Sequence, residues 1–245
     1  MTPLVEVRDL HFHYEDGTKA LDGINFSLHA GETVALFGAN GSGKTTFVLQ
    51  LNGILRGEGS ITVCGLTLAK DNLPAIRSKI GMVFQDSDEQ LFMPTVLEDV
   101  AFGPLNQGLA PELAIDKAKS ALQQVGVEEV MNKAPYHLSA GEKRKVALAG
   151  VLAMEPEILV LDEPTTFLDP PAQSNLVHLL RELPQAKLIV THDTRFASAL
   201  ASRAVFFERG KLLADGPIDE IVQRFGWTYP ALAEVDLRYS AQRRF

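Results

Sequence analysis

An α/β fold with a doubly wound parallel-sheet core is predicted by three features of this chain. Short, continuous apolar runs at 34–37, 80–84, 158–161 and 187–191 have the character of strands buried on both faces. A glycine-rich stretch, Gly38-Ala39-Asn40-Gly41-Ser42-Gly43-Lys44-Thr45-Thr46, joins the first run to a helix-like segment at 47–51. Two acids, Asp162-Glu163, end the third run, at the strand edge where open parallel sheets hold their ligands.

The remaining elements fit around that core. Alternation in Leu4-Val5-Glu6-Val7-Arg8-Asp9-Leu10 and Ile24-Asn25-Phe26-Ser27-Leu28 predicts half-exposed antiparallel strands, an N-terminal β subdomain. Between 104 and 155 the pattern changes: Ala114, Ala118, Ala121, Leu122 and Val125 fall at helical spacing, as an inserted helical lobe requires. After His192 come a helix at 195–201, a strand at 204–207, a turn at Arg209-Gly210, and a strand-helix pair ending at Phe225. The expected organisation is one domain over 1–225 and a short tail, 226–245, that either packs as a helix or frays.

Composition narrows the class of function. With 46% hydrophobic and 22% charged residues the chain can bury a large core and is too balanced for disorder. No apolar run approaches the roughly 18 to 20 residues that span a bilayer, and the start, Met1-Thr2-Pro3-Leu4-Val5-Glu6, has no signal-peptide pattern. A cytosolic protein without direct membrane insertion is expected. The net charge of −8 argues against nucleic acid or anionic lipid as partner, so membrane association would run through a protein. A lone cysteine, Cys64, allows no internal disulfide and reads as a small core residue.

The glycine-rich stretch carries the first chemistry. Glycines let main-chain N–H groups turn inward onto phosphates, Lys44 adds a positive charge, and Thr45 offers a hydroxyl to Mg²⁺. The helix that follows points its positive end at the same anion. This is a P-loop, and it predicts a nucleoside triphosphate. At the second half of the site, Asp162 is placed to hold Mg²⁺ through its water shell and Glu163 to polarise an attacking water. His192 follows another buried strand, so it emerges on the same edge and becomes a candidate to hold the γ-phosphate and water in line.

A further segment, Leu138-Ser139-Ala140-Gly141-Glu142-Lys143, opens a helix and precedes Asp162. With these residues together the chain resembles the ATP-binding subunits of ATP-binding cassette (ABC) transporters, and 139–142 resembles their signature motif. The resemblance implies the ABC form of the P-loop NTPase fold. It puts Tyr14 where the family stacks an aromatic on adenine, and Gln85 at the Q-loop, touching nucleotide and Mg²⁺. It puts Leu168-Asp169 at the D-loop and His192 at the switch histidine. In this family ATP with Mg²⁺ is sandwiched between two subunits, Ser139 and Gly141 of one acting on ATP held by Lys44 of the other. The implied partners are a second ATPase subunit, with a homodimer favoured, a transmembrane coupling subunit and a substrate-binding membrane component. The implied location is the cytoplasmic face of the cell membrane.

Asp86-Ser87-Asp88-Glu89-Gln90-Leu91-Phe92, Thr95-Val96 and Glu98-Asp99-Val100-Ala101-Phe102-Gly103-Pro104 are similar to energy-coupling-factor importers, above all cobalt and nickel uptake ATPases of the CbiO and NikO type. A vitamin importer of the same class is the alternative. A soluble ABC ATPase outside transport fits less well, since such proteins carry two cassettes or a long coiled-coil insertion. The resemblance makes Leu91, Phe92, Val96, Val100 and Phe102 the lining of a partner groove rimmed by Asp86, Asp88, Glu89, Glu98 and Asp99. Val96 and Val100 serve equally well as core. Ala140 and Glu142 depart from the usual glycine and glutamine. They raise the expectations of a methyl that crowds the backbone near the partner's γ-phosphate or demands a φ unfavourable for alanine, and of a negative charge that weakens closure. Phe167 is bulkier than the usual residue before the D-loop, which points to a repacked subunit interface.

Overall fold

A computed structural model describes residues 2–227. Strands β1 (Val5–His13) and β2 (Lys19–Leu28) pair antiparallel, as their alternation predicts. They share a sheet with β4 (Glu58–Val63) and β5 (Leu66–Thr67), in the order β2-β1-β4-β5. The last two were not expected. Only Ile61 and Val63 of β4 are buried, and pairing with β1 in the register Val5 to Val63 and Val7 to Ile61 makes the strand. Cys64 sits in the turn between β4 and β5 at φ 48, half-buried, and not in the core as its size suggested. Burial pushes its thiol up to about 11.

The apolar runs form the central sheet. β3 (Thr33–Phe37) lies between β8 (Ala186–Val190) and β9 (Arg203–Glu208), and β7 (Ile158–Asp162) and β6 (Ile80–Val83) follow outward from β8, all parallel. β10 (Lys211–Pro217) extends the other edge antiparallel to β9.

Period-two alternation divides each core strand between two apolar layers. Val34, Leu36, Ile158, Val160, Leu188 and Val190 face the antiparallel sheet and α1 (Lys44–Leu51), whose Phe47, Val48 and Leu51 are fully buried. Leu159, Leu161 and Ile189 face the helices, while Ala35 and Phe37 pack against α7 (Thr194–Leu200) and α8 (Ile218–Arg224). α2 (Leu73–Lys79) leads into β6.

The helical segment comprises α3 (Val96–Asn106), α4 (Pro111–Gln124) and α5 (Ala140–Leu152). It opens upstream of 104, because a capping box of Thr95 and Glu98 starts α3. Ala114, Ala118, Ala121 and Leu122 form the buried stripe of α4. α6 (Pro170–Glu182) follows β7. The tail reading concerns 226–245, of which 228–245 lie outside the described residues. Among the described residues no helix is long and apolar enough to cross a membrane.

Candidate functional site

β3 ends at Phe37, and the chain must then turn tightly before α1. Gly38 takes φ 141, and a Cβ there would collide with the Phe207 carbonyl of β9. Gly43 is the N-cap of α1 at φ 108, where a Cβ would stand 2.6 Å from the Ala20 carbonyl. Only glycine accepts both positions. Lys44, nearly buried, folds back to donate to the carbonyls of Gly38 at 2.6 Å and Ala39 at 3.1 Å. Burial holds its ammonium below the usual lysine range, and Glu163 and Asp162 partly offset that.

Thr45 donates its hydroxyl to Asp162 Oδ2 at 3.1 Å, joining the start of α1 to the end of β7. Burial raises the Asp162 carboxyl, opposed by that bond. The next residue, Glu163, leaves the strand at φ 44, a left-handed conformation that costs about 1–3 kcal/mol. Its N–H donates to the Val190 carbonyl at 2.8 Å, and its Oε2 lies 2.9 Å from His192 Nδ1. The main chain therefore re-aims Glu163 across the sheet edge to the histidine beyond β8. With Nδ1 donating to the carboxylate, Nε2 is the free ring nitrogen of a largely exposed imidazole.

A cavity of about 440 Å³ unites these groups. Asn40 to Thr46 line it together with Tyr14, Gln85, Asp162 and Glu163. Gly38 and Ala39 are tied to it through the Lys44 bonds, and His192 through Glu163. Tyr14 shares a 2.8 Å hydroxyl bond with Thr46 and packs its ring edge-on to Phe12 at 5.1 Å. That leaves a pinned, half-exposed aromatic surface. Ser42 Oγ is buried without a partner in the wall, as a group with an anion still to bind would be. The oxygens of Thr45 and Asp162, with Gln85 alongside, suit a hard divalent cation that keeps water and phosphate ligands.

Ser139 and Gly141 do not line this cavity. Ser139 caps α5 from an exposed position, donating its hydroxyl to Glu142 Oε2 at 2.7 Å and its N–H at 2.8 Å. These bonds hold the Glu142 carboxyl below its usual range. Glu142 is thus not simply a free charge near an anion, because it engages the serine itself. Ala140 lies in the first turn of α5 and is absent from the positive-φ positions. The unfavourable φ expected of alanine there does not arise. Phe167 does stand at φ 65 and is 78% exposed, ahead of Leu168-Asp169.

A second, larger cavity of about 1010 Å³ runs between α2, α3 and α5. Leu91, Phe92 and Phe102 line it as predicted. Val96 and Val100 are fully buried and root the helices instead. Of the five predicted rim acids only Asp99 lines the cavity, where Glu155 joins it; Glu98 is spent in the Thr95 cap, Asp88 pairs with Lys143 at 2.6 Å, and Asp86 caps the 3₁₀ turn at Ser87–Glu89. Arg77 and Lys79 bring positive charge to the same walls.

Residues 21–166 match the ABC transporter family model. The chain belongs to the ABC transporter family. It is an ATP-binding subunit whose ATP hydrolysis is coupled to transport. A Geobacter sulfurreducens protein provisionally named an ABC transporter ATP-binding protein is 51% identical over 89% of this chain and 88% of its own length. The energy-coupling factor transporter ATP-binding protein EcfA of Methanothermobacter thermautotrophicus is 44% identical over 95% of this chain and 78% of its own. Among solved structures, CbiO1 of Clostridium perfringens, part of the complex CbiONQ, matches with TM-score 0.82 at 36% identity over 92% of both chains. The dimeric bacterial ABC transporter cassette MJ0796 matches with TM-score 0.78 at 27% identity, over 87% of this chain and 98% of that one.

The sequence reading missed Arg144 and the burial of Asp99. Arg144 is 3% exposed and donates to the carbonyls of Phe84 and Gln85. Its spacing to Ala147, Leu148 and Val151, three, four and seven positions on, was the available signal.

Proposed function

We propose that this ABC subunit is the motor of an energy-coupling-factor importer for cobalt or nickel ions, working as a homodimer that clamps Mg-ATP between its halves. The observation that carries the pairing is the exposed Ser139 cap, which lies outside the cavity of its own chain. A serine-tipped helix start suits a phosphate, and a second copy supplies one. The dimeric relative supports this arrangement, and the EcfA and CbiO1 relatives support the importer type. Similarity of 86–104 to cobalt and nickel uptake ATPases favours the metal cargo.

In this reading Tyr14 carries the adenine, and the N–H groups of 38–46 with Lys44 and Ser42 hold the phosphates. Mg²⁺, when bound, neutralises developing phosphate charge, with Thr45, Asp162 and Gln85 as its protein-side oxygens. Glu163 takes a proton from water, and His192 holds that carboxylate in place and faces the γ-phosphate with its other nitrogen. Ser139 and Gly141 complete the partner's site from the helix start. The groove lined by Leu91, Phe92 and Phe102 receives the membrane coupling subunit, which places the protein peripherally on the cytoplasmic face of the membrane. The chain works as one domain over 1–225, its helical lobe opening with α3 and closing with α5.

The test is transport by the chain assembled with its membrane partners in vesicles. ATP should drive accumulation of Co²⁺ or Ni²⁺, and Lys44→Ala should raise the hydrolytic barrier by about 3 kcal/mol and abolish uptake. Accumulation of a vitamin in place of either metal would refute the cargo. Hydrolysis independent of Glu163 would refute the catalytic assignment.

A further inference from the structure

Arg144 is the least exposed charged side chain among the described residues. Its Nη1 donates to the Phe84 carbonyl at 2.6 Å and its Nη2 to the Gln85 carbonyl at 2.7 Å, while Nε is buried without a partner. No carboxylate among the described residues forms an ion pair with it; Asp86 acts on it only as a nearby charge. A guanidinium withdrawn from water with no counter-ion and its Nε unpartnered is costly. An apolar residue would satisfy the packing of α5 at lower cost. What the charge holds is specific: two successive carbonyls just past β6, the second belonging to Gln85, which lines the nucleotide cavity. A rigid planar fork on two carbonyls fixes the main chain there in a way a single flexible donor does not.

We propose that Arg144 is a positioning residue: from the helix capped by Ser139, it grips the main chain of Phe84 and Gln85 and so sets where the Gln85 side chain stands in the nucleotide cavity. The proposal rests on the reading of Gln85 as a nucleotide-site residue. Lys143 pairs with Asp88, and Gln90 Nε2 reaches the Ala147 carbonyl at 3.4 Å, so the loop beyond Gln85 is also fastened to α5, at positions on either side of Arg144 along the helix. In a pair, this fastening ties the state of a chain's own nucleotide to the helix start it presents to its partner.

The test compares Arg144→Met, which removes the fork and keeps the length, with Arg144→Lys, which keeps a charge without the fork. Both are made in the full-length wild-type chain and in a Gln85→Ala background, with kcat, KM, ATP affinity and melting temperature measured. In the wild-type background Arg144→Met should lower kcat by about 10- to 100-fold with KM and ATP affinity unchanged, and Arg144→Lys should recover part of the loss. In the Gln85→Ala background Arg144→Met should cost nothing further. A wild-type kcat for Arg144→Met, or losses that multiply in the double variant, would overturn the proposal. If Arg144→Met fails to fold, the same cycle is read from Arg144→Lys. Gln85→Ala with undiminished kcat is a separate result that removes the Gln85 reading and this proposal with it.

Discussion

At Asp99, hydrogen bonding and burial act in opposite directions. Oδ1 accepts from the N–H groups of Phe92 and Met93 at 3.0 Å each, yet Oδ2 is buried without a partner. Burial wins, and the carboxyl is raised above 3.8. A group whose pKa rises on folding contributes stability below its unfolded pKa and loses it as pH climbs through the folded one. Ionised Asp99 is therefore a liability at neutral pH in the isolated chain. Asp99→Asn should raise the melting temperature at pH 7, and the gain should fade as the pH falls through the raised folded-state pKa and be gone below about 3.8; a gain that persists unchanged in acid would show that charge is not its source. Burial of this kind was not legible in the sequence, where Asp99 sits among Glu98, Asp86 and Asp88 and looks like part of a solvated face. Arg144 was hidden the same way inside Lys143-Arg144-Lys145. By contrast, 38–46 and Asp162-Glu163 were readable because their chemistry is local: contiguous glycines and acids at a strand end dictate what can approach them.

Two helices of the chain begin with the same device. Thr95 opens α3 and Ser139 opens α5, each through a capping box with the glutamate three positions on. Cap loss at either site should cost about 1 kcal/mol of stability, so Thr95→Ala and Ser139→Ala should lower the melting temperature by similar amounts. Their effects on hydrolysis should differ, since in the proposed pair only the α5 cap meets a partner's phosphate. Thr95→Ala should keep wild-type turnover per folded molecule, while Ser139→Ala should lose it. Equal losses would reduce Ser139 to a cap. Both helices show why element boundaries escape a reading by hydrophobic period. The start of α3 is fixed by the Thr95 to Glu98 bonds, which lie upstream of the apolar stripe. β4 escaped for a different reason. Its sequence, Glu58-Gly59-Ser60-Ile61-Thr62-Val63, is weakly apolar and broken by glycine, and its pairing partner β1 lies about fifty residues away.

Across the whole molecule, the groups that hold a nucleotide and the groups that would close over it face different neighbours. The cavity walls come from 14–20, 40–46, Gln85 and the ends of β7 and β8. The α5 cap and the 78% exposed Phe167 stand apart from that cavity. Such a chain presents two half-sites, and one two-fold axis can join each to its complement. Phe167 sharpens the point, because a large apolar ring left 78% exposed gains from a surface that covers it. Glu163→Gln isolates the pairing step. The amide keeps the shape of the Glu163 side chain and a hydrogen bond to His192, but it cannot take a proton from water, so bound ATP persists. Measured by light scattering, Glu163→Gln should double its mass when saturated with Mg-ATP and return to monomer when the nucleotide is removed. The same variant carrying Lys44→Ala should stay monomeric, because the bridge between the halves is the nucleotide and not an apolar patch. If Glu163→Gln alone remains monomeric at saturating Mg-ATP, the two half-sites do not meet, and Ser139 has no phosphate to serve.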